Sequence, residues 1–299
     1  MKTIRRLELR HVVCPIDLSG QLRSSLQYAM AIARARHAEL RTLHVVPTEG
    51  PAHPHGLGSI TRQRLMQQLQ ESVVHVDPTY DFFGSAIRSG DPATQILQYA
   101  RSMRADLIVM GAPGADRPER PLGPVASVVV ARSDCPVLTV PAHSAASSHE
   151  AGVFSRIVCG IDWSPSSATV IRQALSLAWE TGGRLTYACI TSESNATSPS
   201  EIRRKLLTVI PPEAYGWCEV DVIVITGTPS LEIVRLAAEH AADLVVVGAP
   251  RRWISTTHAI LSDSLCPVLV AHDAQPLPWP AVRLSRESEA LPGMNRTRV

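Results

Sequence analysis

The sequence repeats itself. The segment His11-Val-Val-Cys-Pro-Ile-Asp17-Leu-Ser19 returns 145 positions later as Arg156-Ile-Val-Cys-Gly-Ile-Asp162-Trp-Ser164. The stretch from Gly90 to Pro113 returns as Gly227 to Pro250, sharing eleven of twenty-four positions, among them the Ala-Asp-Leu and Gly-Ala-Pro corners. Cys135-Pro-Val-Leu-Thr-Val returns as Cys266-Pro-Val-Leu-Val-Ala. Three matched blocks in the same order define a tandem duplication. A chain of 299 residues is about twice the ~150-residue prior for a single domain, which agrees. The reading is a first unit over 1–143, a small polar linker over 144–154, a second unit over 155–272 and a tail over 273–299 without periodicity.

Within each unit, strand and helix patterns alternate. Val12–Ile16 is a continuous apolar run, the mark of a strand covered on both faces. Leu22, Leu26, Ala29, Met30 and Ala33 follow at helical spacing. Further strands are expected at 40–46, 85–88, 107–110 and 136–140, and further helices around 65–76, 94–103 and 125–132. Asp91-Pro92 caps and opens the helix at 94. The second unit is expected to repeat the scheme, with strands at 157–161, 185–190, 220–225, 244–247 and 268–271. Its helices fall at 166–179, from Ser200 and at 230–240. Alternation of this kind builds a parallel α/β sheet with helices on both faces.

Composition removes several functions. Formal net charge is +2, which gives no electrostatic footprint for nucleic acid or an acidic membrane. Lys2 and Lys205 are the only lysines and neither follows a glycine-rich loop, so a Walker-type phosphate lysine is excluded. The six cysteines form no C-x-x-C pair, which argues against zinc ribbons and redox dithiols. His53-Pro54-His55 lacks further obvious ligands, and no metal site is expected. The charged N-terminus has no apolar core of a secretory signal, and no apolar run approaches the ~18 residues of a membrane span. A cytoplasmic protein is expected.

In an open α/β sheet, ligands bind beyond the carboxyl ends of the strands where strand order reverses. Two corners qualify. Cys14-Pro15-Ile16-Asp17 puts a carboxylate at the end of the first strand, and Met110-Gly111-Ala112-Pro113-Gly114 ends the fourth, with Gly123 opening the next helix. Glycines admit close backbone approach, and a helix N-terminus offers free N–H groups to phosphate.

Together with the Leu43-His44-Val45-Val46 strand, Gly90-Asp-Pro and Cys135-Pro-Val-Leu, these corners resemble the universal stress protein family across both units. The resemblance implies a five-stranded parallel sheet in order 3-2-1-4-5 in each unit. It also implies that fifth strands pair around a two-fold axis, here internally, as a pseudo-dimer with strand 136–140 antiparallel to strand 267–270. A homodimer remains open as well. The ATP-binding branch of that family carries Gly-x-x-Gly, nine residues, then Gly-Ser/Thr. By resemblance Pro15, Ile16 and Asp17 would line the adenine and ribose side, with Val45 against the base. Met110, Gly111, Ala112, Gly114, Gly123, Pro124 and Val125 would surround the phosphates of ATP, or of AMP or ADP in its place, with room for magnesium.

This sequence departs from that pattern. Eight residues, not nine, separate Gly114 from Gly123, and Pro124 stands at the Ser/Thr position, without hydroxyl or N–H. Arg117 and Arg120 lie in the spacer. In unit two Gly248 survives, but Arg251 and Ile254 replace the second and third glycines and only Ser255 stays in register. Unit two is expected to be empty and Asp162 a turn residue. The leading expectation is a stress-response regulatory protein, not an enzyme, that binds an adenine nucleotide in unit one. The alternatives are a nucleotide-free interaction module and a slow ATPase or self-phosphorylating protein, whose protein partner and stress signal the sequence does not name.

Overall fold

The computed structural model describes residues 9–18, 23–47, 58–80, 83–112, 122–142, 144, 154–192, 197–249 and 255–272. Unit one runs β1 (His11–Pro15), α1 (Arg23–Arg36), β2 (Glu39–Val46), α2 (Ser59–Val76), β3 (Phe83–Ser89), α3 (Pro92–Ser102), β4 (Leu107–Ala112), α4 (Pro124–Arg132) and β5 (Val137–Pro141). Unit two runs β6 (Arg156–Ile161), α5 (Ser166–Thr181), β7 (Arg184–Thr191), α6 (Pro199–Val209) and β8 (Glu219–Thr226). It ends with α7 (Pro229–Glu239), β9 (Leu244–Gly248), α8 (Ser255–Asp263) and β10 (Val268–Ala271). Two elements were not expected from sequence: α8 and a 3₁₀ turn over Pro212–Gly216. Most of the linker, 145–153, and the tail 273–299 lie outside the described residues.

All ten strands belong to one sheet, in the order β3-β2-β1-β4-β5-β10-β9-β6-β7-β8. Each unit contributes a parallel 3-2-1-4-5 half, as expected. The halves meet through β5 and β10, which pair antiparallel with Val268 opposite Thr139, Leu269 opposite Leu138 and Val270 opposite Val137. The Thr139 hydroxyl adds a bond to the Val268 carbonyl at 3.2 Å. Leu138 and Leu269 are 1% and 4% exposed, each side chain contributing about 2 kcal/mol of apolar burial. Because the seam is antiparallel, the carboxyl ends of the two parallel halves face opposite ends of the molecule.

Successive residues of a strand point to opposite faces, so β1 sends Val12 and Cys14 to one apolar layer and Val13 to the other. The first layer takes α1, α2, α5 and α6; the second takes α3, α4, α7 and α8. Both layers run through both units. At the seam Tyr28 of α1 stacks on Phe154, with ring centroids 6.2 Å apart.

The outer strands β3 and β8 each have one strand neighbour. Exposed backbone edges of this kind template unwanted pairing. Here each edge receives an arginine from the preceding helix: Arg62 of α2 donates to the Ile87 carbonyl at 3.1 Å, and Arg203 of α6 donates to the Val222 carbonyl.

His272 follows β10 and is mostly buried against both units. Gln173 of α5 donates to its carbonyl at 3.1 Å, and its own Nε2 has no partner among the described residues. Desolvation pushes the imidazole from 6.5 down to about 4, opposed by a hydrogen bond to the Val130 carbonyl of α4 and by the Asp134 carboxylate. The unfolded chain therefore binds a proton below about pH 6.5 that the folded chain refuses, and stability falls as pH drops from there towards 4. Between about pH 7.5 and 5 this group is expected to remove about 2 kcal/mol of stability, read as a lower urea midpoint. A His272→Leu variant should lose correspondingly less over the same interval; equal losses would refute the assignment.

Candidate functional site

Strand order in unit one reverses between β1 and β4, and a cleft of about 440 Å³ opens there at the carboxyl ends of the strands. Its walls come from five elements. The end of β1 gives Pro15 and, beyond it, Ile16 and Asp17; β2 gives Leu43, His44 and Val45, with Pro47 just after; β4 gives Met110 and Gly111. The N-terminus of α3 adds Pro92 and Ile96, and that of α4 adds Gly123, Pro124, Val125 and Ala126.

Local chemistry fixes these pieces. The Ile16 amide continues the ladder to the Leu43 carbonyl at 2.8 Å, and His44 Nδ1 meets the Ile16 carbonyl, also at 2.8 Å. A carbonyl only accepts, so Nδ1 carries the proton in that bond. His44 thereby pins the chain immediately before Asp17. Gly90, at φ +135°, turns β3 into α3 in a conformation that favours glycine. Asp91 then caps α3, accepting from the Thr94 amide at 2.8 Å, and the Thr94 hydroxyl and amide hold its carboxyl below the ordinary range. Burial pushes the Cys14 thiol up to about 12, so it offers no nucleophile beside Asp17.

Of the residues expected from sequence, Pro15, Ile16, Asp17, Val45, Met110, Gly111, Gly123, Pro124 and Val125 border this one cleft. Ala112 does not. It is 6% exposed at the end of β4, opposite Pro141, within the apolar cluster that includes Leu122 and Ala126. Gly114, Arg117, Arg120, His53 and His55 lie outside the described residues. Leu43, His44, Pro47, Pro92, Ile96 and Ala126 complete the lining beyond the residues expected from sequence. In the sequence His44 and Pro92 stand only as strand and helix-start residues, and a histidine within an apolar strand carries no signal of the backbone bond it makes.

The same corner of unit two is much smaller, about 160 Å³. Ser166 packs so closely on Gly248 that a Cβ at Gly248 would collide with Ser166 Oγ. Asp162 is held within its own turn, accepting from the Ser164 amide at 3.0 Å, the Ser164 hydroxyl at 2.6 Å and the Ser167 hydroxyl at 3.0 Å. Ligand sites for small molecules span roughly 300–1,000 Å³, a range that admits the first cleft and not the second. Arg251 and Ile254 lie outside the described residues.

A doubly wound parallel sheet with a glycine-edged cleft at its switch point defines the class of open α/β ligand-binding folds. The model of the universal stress protein family matches residues 8–141 and again 154–272, and the chain belongs to that family. It is 34% identical to a universal stress protein of Methanocaldococcus jannaschii over 140 residues, 44% of this chain and 81% of that one. Its structure aligns with a universal stress protein of Archaeoglobus fulgidus at a TM-score of 0.70 and 19% identity, covering 91% of this chain and 98% of the other. A protein of unknown function from Pseudomonas aeruginosa aligns at a TM-score of 0.60 and 18% identity, over 90% and 94% of the two chains. At such identities the structural likeness concerns the fold.

No helix among the described residues is long and apolar enough to cross a membrane. Nor do those residues contain a group of three or more side chains suited to hold a metal ion.

Gly123 separates binding from stability. Its φ is −56°, which any residue adopts, and a Cβ there would meet nothing within 4 Å. Gly123→Val is therefore expected to leave the melting temperature within about 2 °C while its side chain intrudes on the cleft and abolishes ligand binding. Retained binding in a normally melting variant would remove the α4 terminus from the site.

Proposed function

We propose that the chain is a stress-response regulatory protein that binds an adenine nucleotide in the cleft of unit one, with unit two as its structural partner. The inequality of the two clefts supports this reading most directly. One sequence motif, duplicated, leads to an open cavity in one half and to a much smaller corner, with Ser166 packed on Gly248, in the other. In the open one, Ile16, Val45 and Met110 supply flat apolar surface for a base, and Asp17 supplies the acceptor for ribose hydroxyls or base amines. The α4 N-terminus, with its unpaired first-turn amides, faces the phosphate end.

The protein acts by binding rather than by catalysis. Asp17 is the single carboxylate bordering the cleft among the described residues, and Nδ1 of His44, the other ionisable side chain on its wall, is engaged by the Ile16 carbonyl. Occupancy would be read by a protein partner in the cytoplasm.

Small molecules released by denaturing the purified chain, or bound on titration, should include one adenine nucleotide per chain. Asp17→Ala should weaken that binding about tenfold or more, the value of one charge-assisted hydrogen bond, while Asp162→Ala should leave it unchanged. Equal effects of the two substitutions would defeat the assignment to unit one.

A further inference from the structure

Unit one holds another cavity, of about 300 Å³, at the end of its sheet opposite the cleft. It lies where α3 turns into β4 and α4 turns into β5. Leu97 and Ala100 of α3, with Ala105 after it, give an apolar wall. Arg101, Arg104 and Asp134 bring charge to the rim, and Cys135 a thiol. Arg101 is held in place by Asp134, whose carboxylate accepts from its Nε at 2.6 Å. That bond uses one of the five guanidinium donors and leaves the Nη groups for a second acceptor. Arg101 and Arg104 against Asp134 leave the lining one positive charge in surplus.

The duplication supplies a control. Unit two builds the same two turns: Ala242 donates to the Ala237 carbonyl at 2.8 Å as Ala105 does to that of Ala100. Ala241 takes φ +46° where Arg104 takes +49°. Ser264 Oγ lies 3.7 Å from the Cys266 sulfur, as Ser133 Oγ lies 3.5 Å from that of Cys135. Yet Ala238, Ala241 and Leu265 stand at the places of Arg101, Arg104 and Asp134. Helix α7 closes without a basic residue in its last turn. Ending the helix and entering the strand therefore do not require the charges that unit one places here.

We infer that this corner of unit one is a second ligand site, for a short-chain aliphatic carboxylate. Its single negative charge matches the surplus of the lining, and its two oxygens accept the paired N–H groups of an arginine in parallel. The alkyl chain lies along Leu97, Ala100 and Ala105. A phosphate monoester, with up to about two charges, exceeds the surplus. The entrance is at the amino ends of β4 and β5, so the ligand is taken up independently of the cleft that Asp17 borders.

Calorimetric titration of the full chain with butyrate and hexanoate, against butyramide and hexanamide, tests the inference. The acids should bind, each about tenfold more tightly than its amide, the value of one charge-assisted hydrogen bond. Arg104→Ala installs the residue that the turn of unit two already carries, so the variant should fold and should bind the acids about tenfold more weakly. Labelling with N-ethylmaleimide then places the ligand. Saturating hexanoate should slow reaction at Cys135 and spare Cys266, the equivalent thiol of unit two. Burial pushes both thiols up to about 11, so the two start alike. The inference is overturned by the absence of saturable acid binding, by equal affinity for acid and amide, or by equal slowing at both cysteines. Acid binding left intact in Arg104→Ala overturns it as well.

Discussion

Everything distinctive about this molecule depends on three residue pairs between β5 and β10. A parallel five-stranded sheet that ends in its fifth strand exposes a row of unpaired backbone groups beside apolar side chains such as Leu138 and Val140. In a duplicated chain the second copy supplies the missing neighbour. The match is antiparallel, the sense that a two-fold relation about an axis perpendicular to the sheet gives to like edges. From that follow the continuous apolar layers on both faces and the opposite orientation of the two clefts. No single ligand can bridge those clefts, so the units interact through the protein, not through a shared substrate.

That arrangement also lets the corner of unit two narrow without loss of the fold. Once unit two is held by the seam and by layers shared with unit one, its own corner need not stay open for the fold to persist. Ser166 could settle against Gly248, and Asp162 could turn its carboxylate to Ser164 and Ser167, without disturbing β6, β9 or β10. Contact across the seam nevertheless reaches the open site, because Ser262 of α8 meets the Leu122 amide beside Gly123. The unit with the smaller corner thus helps to shape the entrance to the larger one.

Much of this was legible in the sequence. Duplicated motifs and continuous apolar strands carried the two parallel α/β units, because parallel strands and helix faces leave strong periodic signals; the strand order and the seam came through the family resemblance that those motifs and the Cys-Pro-Val-Leu openings support. The two corners at Asp17 and Gly111 carried the place of the cleft. What stayed hidden depends on side-chain packing or on weak local preference. The α8 helix opens with Ser255, Thr256, Thr257 and His258, residues of low helical propensity, and forms because Ile260 and Leu261 are buried beneath it. Ala112 shares the Met110 face of β4 but falls under α4 rather than in the open cleft, a distinction that alternation alone cannot make. Neither the bond from His44 to the Ile16 carbonyl nor the packing of Ser166 on Gly248 has a pattern in one dimension.

The arginines at the ends of the sheet have a consequence of their own. Of the ionisable groups that could have guarded the outer carbonyls, the guanidinium alone keeps its charge and all its donors up to about pH 12. A lysine would fade in alkali and a histidine near neutrality. With Arg62 over β3 and Arg203 over β8, the barrier against strand-by-strand growth is the same in acid as in base. His272, by contrast, sits at the seam in the middle of the sheet, so part of the molecule's sensitivity to acid lies at its centre, away from both guarded edges.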